Sequence, residues 1–281
     1  MTLSWNRYGK ARVRLVKVRR QRDPHELVDV TFNIQLEGAF EPVYVDGDNQ
    51  RCVATDTMKN TVYAFARTDD IAHIELFAER LAGHFAKQPF VNRARISATE
   101  QPWRRVSVGG RPHPHAFEQP GGEQWTAVVT GDAEGTQVSS GITNLVLLKT
   151  TDSAFADFAR DQFTTLSDTT DRILATAVTA SWRYRTGMRD FSVRAAVRQA
   201  LVETFAAHDS RSVQHTLYAM GEVVLDSIDL VERITLEMPN RHHLPIDLTR
   251  FGMDNRNEIF VATEEPHGLI KATLTRPTLS R

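Results

Sequence analysis

Thr55 and Asp56 follow a short apolar pair, Cys52 and Val53, and precede Met58, Val62 and Phe65, whose spacing predicts a helix. Asp56 or Thr57 would ordinarily cap that helix, a side-chain oxygen accepting from an orphan N–H of the first turn. The same helix start also offers free N–H donors and the positive end of the helix dipole to an anion. His113 and His115 stand at alternate positions, which on a strand would point both rings the same way, as metal ligands do. No cysteine or acidic residue accompanies them at ligand spacing, so a loop-packing role is expected and a metal is not. His242, with His243 beside it, is a side chain whose ordinary pKa lies near neutrality and can pass a proton. The remaining candidates have everyday uses. Lys10 after Tyr8-Gly9 reads as a solvated lysine and Pro239-Asn240 as a turn pair. Arg172 reads as a surface charge, Gln214 as a helix-face polar residue, and Phe155 and Phe158 as core.

Lys plus Arg number 34 and Asp plus Glu 35 in 281 residues, a formal net charge of −1. That balance argues against bulk attraction to nucleic acid or an acidic membrane, while leaving room for a small anionic ligand at a local positive site. Arg12, Arg14, Lys17, Arg19 and Arg20 therefore read as a solvated strand face. With 41 % hydrophobic residues the chain can fill one large core or two ordinary ones. Cys52 is the only cysteine, which excludes an intrachain disulfide, suits a reducing compartment and fits a small half-buried hydrophobe. No apolar run reaches membrane-spanning length. The start of the chain lacks a signal-peptide core, and Leu279-Ser280-Arg281 is not the Ser-Lys-Leu peroxisomal address. The expected location is the cytoplasm. No Gly-rich dinucleotide fingerprint is present.

These residues need elements to hold them. Val28, Val30, Phe32, Ile34 and Leu36 alternate with polar residues as a half-buried strand, after an earlier strand over 12–19 with a bulge expected at Leu15-Val16. Asp46 to Asn49 is a turn, Asp69 and Asp70 are expected to open a second helix, and Ile71, Ile74, Phe77, Leu81 and Phe85 give its apolar stripe, with Pro89 as its stop. Strands are expected over 93–105 and 124–130, with 109–122 mainly loop. The second half repeats the order: strands over 138–148 and 178–185, a helix from Ser192, another from Ser210 or Ser212 carrying Val213, Leu217, Met220 and Val224, then a strand through Ile234, Leu236 and Met238. Residues 259–262 and 271–274 close the chain as strand. The class is α+β, antiparallel strands with helices on one face.

Several motifs together resemble the urate oxidase (uricase) family. They are Tyr8-Gly9-Lys10, Val53 to Asn60 with Thr61-Val62-Tyr63, Arg104 with Pro112 to Phe117, Ser212-Val213-Gln214, Pro239 to His242, and Gly268 to Lys271. Their order covers nearly the whole chain. The resemblance implies a tandem tunnelling fold, residues 1–135 and 136–281 each forming a four-stranded antiparallel sheet with two helices on one face, and subunits closing these sheets into a β-barrel. A homotetramer is expected, with active sites at subunit interfaces.

It also implies an activity: oxidation of urate by O2 and water to 5-hydroxyisourate and hydrogen peroxide, with no metal or organic cofactor. By position, Arg172 and Gln214 correspond to the pair that grips urate, Val213 to a backbone contact and Phe155 to the ring on which urate stacks. Lys10, Thr55 and His242 correspond to the proton relay. Asp56 meets urate through its backbone N–H, and Thr55 and Asn240 flank the oxygen or water site. In the family Thr55 and Asp56 come from the neighbouring subunit. A cyclohydrolase-like enzyme of the same fold would need zinc or a Cys-His pair, and the chain offers only Cys52. A purine-binding protein without the relay would not need Lys10, Thr55 and His242.

Overall fold

The computed structural model describes residues 1–20 and 23–277; Leu279-Ser280-Arg281, compared above with a peroxisomal address, lies outside the described residues. The chain divides into two compact units, Met1–Gly141 and Ile142–Arg281.

In the first unit, strands β1 (Tyr8–Arg19) and β2 (Glu26–Gly38) pair antiparallel. A five-residue helix α1 (Glu41–Val45) follows, and the Asp46 turn leads into α2 (Thr55–Thr68) and α3 (Ile74–Phe85). Strand β3 (Val91–Gln101) precedes a hairpin of β4 (Arg104–Val108) and β5 (Arg111–Glu118); then come β6 (Gln124–Asp132) and β7 (Gly135–Lys149), which runs across the division between the units. The main sheet of this unit is ordered β1-β2-β3-β6.

The alternation in β2 does what it predicts: Val28, Val30, Phe32, Ile34 and Leu36 are buried. They meet Ile74, Phe77, Leu81 and Phe85 of α3, all buried, with Phe32 and Phe77 rings 5.1 Å apart. Each such side chain contributes about 1.5–3 kcal/mol of burial. Four local expectations are corrected. The bulge of β1 lies between Lys10 and Val13, where Arg12 has φ 58°, while Leu15 and Val16 pair in register with Val30 and Asp29. Asp69 and Asp70 do not open α3, whose N-cap is His73; Asp69 closes α2, and its carboxylate accepts from Ile71 N–H at 2.8 Å. The strand expected over 93–105 ends at Gln101 and a new one begins at Arg104. The expected loop at 109–122 contains β5, a peripheral hairpin strand that tolerates Pro112 and Pro114 because β4 is its one strand partner among the described residues.

In the second unit, the rest of β7 is followed by β8 (Leu174–Tyr184), α4 (Arg194–Ala207), α5 (Val213–Ser227), β9 (Val231–Pro245) and β10 (Phe260–Thr275), ordered β7-β8-β9-β10. The two segments expected at the chain end are one strand, irregular between Thr263 and Gly268. Helix α5 lies on β9 and β10, and α4 packs on α5. At Gly221 a Cβ would lie 2.9 Å from a methyl of Leu274, so glycine lets α5 sit close to β10. Val178, Ala180 and Trp182 of β8 and Ile234, Leu236 and Met238 of β9 are buried on the helix side. Both units are sheets with two main helices on one face, the α+β tunnelling fold expected.

Candidate active site

The predicted site residues fall into two groups. Lys10, Thr55 and Asp56 belong to the first unit; Phe155, Arg172, Val213, Gln214, Asn240 and His242 belong to the second.

In the first unit, Lys10 sits on β1 opposite Ile34, at the mouth of the bulge. The bulge is pinned by Asn33, whose side chain accepts from Arg12 N–H at 2.8 Å and donates to Ser97 Oγ at 3.1 Å. Next to Lys10, Gly9 is obligatory: a Cβ there would lie 1.8 Å from the Ile34 carbonyl oxygen. Tyr8 then fixes what Lys10 faces. Its hydroxyl accepts from Val53 N–H at 2.7 Å and donates to Val53 C=O at 3.2 Å, which ties β1 to the segment entering α2. Burial, then the adjacent Cys52 thiol, push the Tyr8 phenol above its ordinary pKa.

Asp56 and Thr57 do not cap α2. The N-cap is Ala54, with no side-chain hydrogen bond, and the Asp56 carboxylate instead takes the Lys59 ammonium and, at 2.8 Å, the Asn60 amide. Lys59 above all, with Asn60 and the charge of Lys10 behind it, holds the Asp56 carboxyl below its usual range. No side-chain cap takes the N–H groups that open α2, which stand at the positive end of the helix dipole. A depression of about 420 Å³ lies over Tyr8, Gly9, Lys10, Asn33 and Gln35. A larger one, about 840 Å³, lies over the far half of β1 and α2, but its Lys17 ammonium is already spent on the carbonyls of Ala66 and Asp69 at 2.7 and 2.6 Å.

In the second unit, residues 150–173 are an irregular loop, and Phe155 and Phe158 are half-buried on it rather than in the core. The two rings stack instead, centroids 4.9 Å apart and planes at 10°. The Arg172 guanidinium carbon is 5.2 Å from the Phe155 centroid, and Arg160 covers Phe158 at 4.6 Å while paired with Asp168 at 2.8 Å. Asp171 organises the loop: its carboxylate accepts from Thr151 Oγ1 at 2.8 Å and Ser153 N–H at 3.2 Å, contacts that hold it below the ordinary carboxyl range. Arg172 Nε is buried without a partner, and burial lowers the Arg172 pKa.

Ser210 joins this loop to α5. Its carbonyl accepts from Ala154 N–H at 2.7 Å and its N–H donates to Asp152 C=O at 2.9 Å. Two residues on, Ser212 caps α5, its hydroxyl accepting from His215 N–H at 3.1 Å. Val213 is the first helical residue and is buried; Gln214 is exposed. On β9, Asn240 and His242 continue the face of Leu236 and Met238, whereas His243 turns the other way, its Nδ1 3.2 Å from Arg241 O. Burial, then Arg172, then His267 hold the His242 pKa below the usual histidine value. His267 lies in the β10 irregularity opposite these residues, where Thr263 pairs with His242 and Gly268 with Asn240.

His113 and His115 have a packing use. Their ring centroids are 4.5 Å apart, and His113 Nδ1 accepts from Ala116 N–H at 3.1 Å. Among the described residues no group of three or more His, Cys, Asp or Glu is placed to hold a metal ion. Tyr8, Asp171 and His267 carry no site role in the sequence pattern, and Ser210 enters it only as a possible start of α5, whose N-cap is Ser212. Tyr8 stood in a quoted motif, but its partner Val53 is far away in the chain and no local pattern joins them.

The resemblance read from the motifs extends along the chain. A family model described as Uricase matches residues 6–130 and 138–271. The uricase of Arthrobacter globiformis is 45% identical over 278 residues, covering 98% of this chain and 90% of that protein. That of Dictyostelium discoideum is 38% identical over 280 residues, 98% of each. The crystal structure of the Arthrobacter globiformis uricase matches with a TM-score of 0.94 at 44% identity, over 100% of this chain and 96% of that one. A uricase from Bacillus fastidious, 24% identical with a TM-score of 0.84, shares the fold. With family model, relatives and fold in agreement over its length, the chain belongs to the uricase family.

Proposed function

We propose that the chain oxidises urate with O2 and water to 5-hydroxyisourate and hydrogen peroxide, at a site built from both residue groups. The observation that carries this is the pairing of Phe155 with Arg172: an aromatic face and a half-buried guanidinium whose buried Nε–H is unspent, held 5.2 Å apart. A flat anion needs both, the ring to stack on and the planar cation to pair its edge. Gln214, from the N-terminus of α5, offers a donor and an acceptor to the opposite edge, beside the Val213 backbone. Asp56 contributes its N–H at the start of α2.

The chemistry balances without another redox partner. Urate gives up two electrons; O2 takes them with two protons and leaves as hydrogen peroxide; water adds its oxygen as the 5-hydroxyl. The chain's task is to hold the reactants and move protons. Lys10 takes the proton from urate, the Thr55 hydroxyl carries protons between Lys10 and water, and His242, whose charged form its surroundings disfavour, returns Lys10 to its working state. Thr55 and Asn240 hold oxygen, and later water, above the purine plane. No metal or organic cofactor has a part in this scheme.

Lys10, Thr55 and Asp56 come from one protomer and the remaining residues from another, within a homotetramer. Two features support this. The groups lie in separate units, and β1 and β10 each pair on one side only among the described strands. Those free edges carry exposed Val16 and Leu269, which pairing with a second protomer would cover. Among the described residues no helix is long and apolar enough to cross a membrane. The single Cys52 fits a cytoplasmic setting.

The test is purified protein with urate in aerated buffer containing a chelator. Loss of the purine absorbance should be matched by equal O2 uptake and peroxide release. Binding of a urate analogue with no loss of absorbance would instead make the chain a purine-binding module.

A further inference from the structure

Thr176 is fully buried, and its Oγ1 has no hydrogen-bond partner. A buried hydroxyl left unpaired is a cost that a valine of similar shape would not carry. Its place in the sheet indicates its use. Thr176 of β8 pairs directly with Asn240 of β9, and the same register continues through Thr179 with Glu237 and Ala180 with Leu236. Directly opposed residues of an antiparallel pair share a face and lie close enough to touch. On its other side Asn240 pairs with Gly268, where a Cβ would come within 3.8 Å of the Asn240 Cβ. Gly268 has no side chain to offer, so Thr176 is the cross-strand side chain that flanks Asn240.

A carboxamide has two ends of nearly the same shape, one accepting and one donating, and only a second contact decides which end faces a ligand. We propose that Thr176 is a positioning residue that donates its hydroxyl to Asn240 Oδ1 in the loaded site and so leaves Nδ2 to donate to the oxygen or water beside urate. The inference rests on the reading of Asn240 given above.

The experiment compares Thr176→Val, Thr176→Ser, Asn240→Ala and the Thr176→Val/Asn240→Ala pair by steady-state kinetics and thermal unfolding. Thr176→Val should lower kcat about five- to tenfold, the worth of one hydrogen bond, with KM little changed and Tm equal or higher. Thr176→Ser should keep most of kcat. In the Asn240→Ala background the valine should cost nothing more, since the two residues act as one. A slow Asn240→Ala beside a normal Thr176→Val overturns the inference, as do multiplicative losses in the pair, or a Thr176→Val with lowered Tm whose kcat loss serine shares. A normal Asn240→Ala is a separate result: it removes Asn240 from the site and this inference with it.

Discussion

Tyr8 and Val53 are joined by two hydrogen bonds through one phenol oxygen, at 2.7 and 3.2 Å. Each residue stands two positions before a proposed relay residue, Lys10 and Thr55. One side chain thus sets the distance between a strand and a helix start that the chain must bring together.

Tyr8→Phe keeps the ring against Phe40, 4.8 Å away, and removes only the hydroxyl. The half-buried Val53 amide and carbonyl lose their partner, at roughly 1–3 kcal/mol of unfolding free energy. Turnover should fall as well, because Thr55 is no longer held to Lys10. Denaturant melts with kcat at 25 °C check both; a destabilised variant with normal kcat would restrict Tyr8 to stability.

Arg172→Ala removes the cation from the face of Phe155. Affinity for a urate analogue should drop by several kcal/mol at most, since a buried anion is left without its counter-charge. Calorimetric titration decides, and unchanged affinity sinks the clamp.

His242 carries a pH signature of definite sign. Its native pKa lies below the ordinary 6.5, so an unfolded chain takes up this proton at a higher pH than the native one. The unfavourable contribution is absent above about pH 6.5 and grows as the pH falls towards the native value. If the neutral ring is the working form, kcat should rise with pH through an apparent pKa below 6.5. His267 is among the groups that lower the His242 pKa, so His267→Asn should move that limb to higher pH. A pH profile of both enzymes shows it; no movement, or movement the other way, takes His267 out of the field of His242.

Two inactive chains should rescue each other. In a mixed oligomer of Thr55→Ala and Arg172→Ala chains, one arrangement places both defects in one site and the other assembles an intact site. Co-expression should raise activity above both parents, to about half the sites at each mixed contact by two-fold symmetry. Mixed oligomers proven by mass spectrometry yet inactive would put Thr55 and Arg172 in a site made by a single chain.

Legibility in the sequence followed the range of the interaction. The β2 alternation and the Val213, Leu217, Met220 and Val224 stripe of α5 each report one face of one element, and all those residues are buried. The bulge after Lys10 was misplaced because it depends on Asn33 across the sheet, not on the apolar pattern of β1. Asp56 was read as a cap because caps are local, yet its carboxylate turns to Lys59 and Asn60. The β4–β5 hairpin was hidden under glycine and proline residues that mark loops more often than strands. At the site, residue types came from motifs, but nothing in spacing revealed that Phe158 stacks on Phe155 or that Thr176 lies opposite Asn240.

Ser210 gives the second unit a mechanical property. Through one residue's amide and carbonyl, the loop bearing Phe155 is fastened to the turn from which Val213 and Gln214 depart. Moving the Phe155 loop away from the start of α5 breaks both bonds at once. In hydrogen–deuterium exchange the amides of Ala154 and Ser210, the two donors of this junction, should therefore exchange at a common opening rate, and a bound analogue should slow both by the same factor.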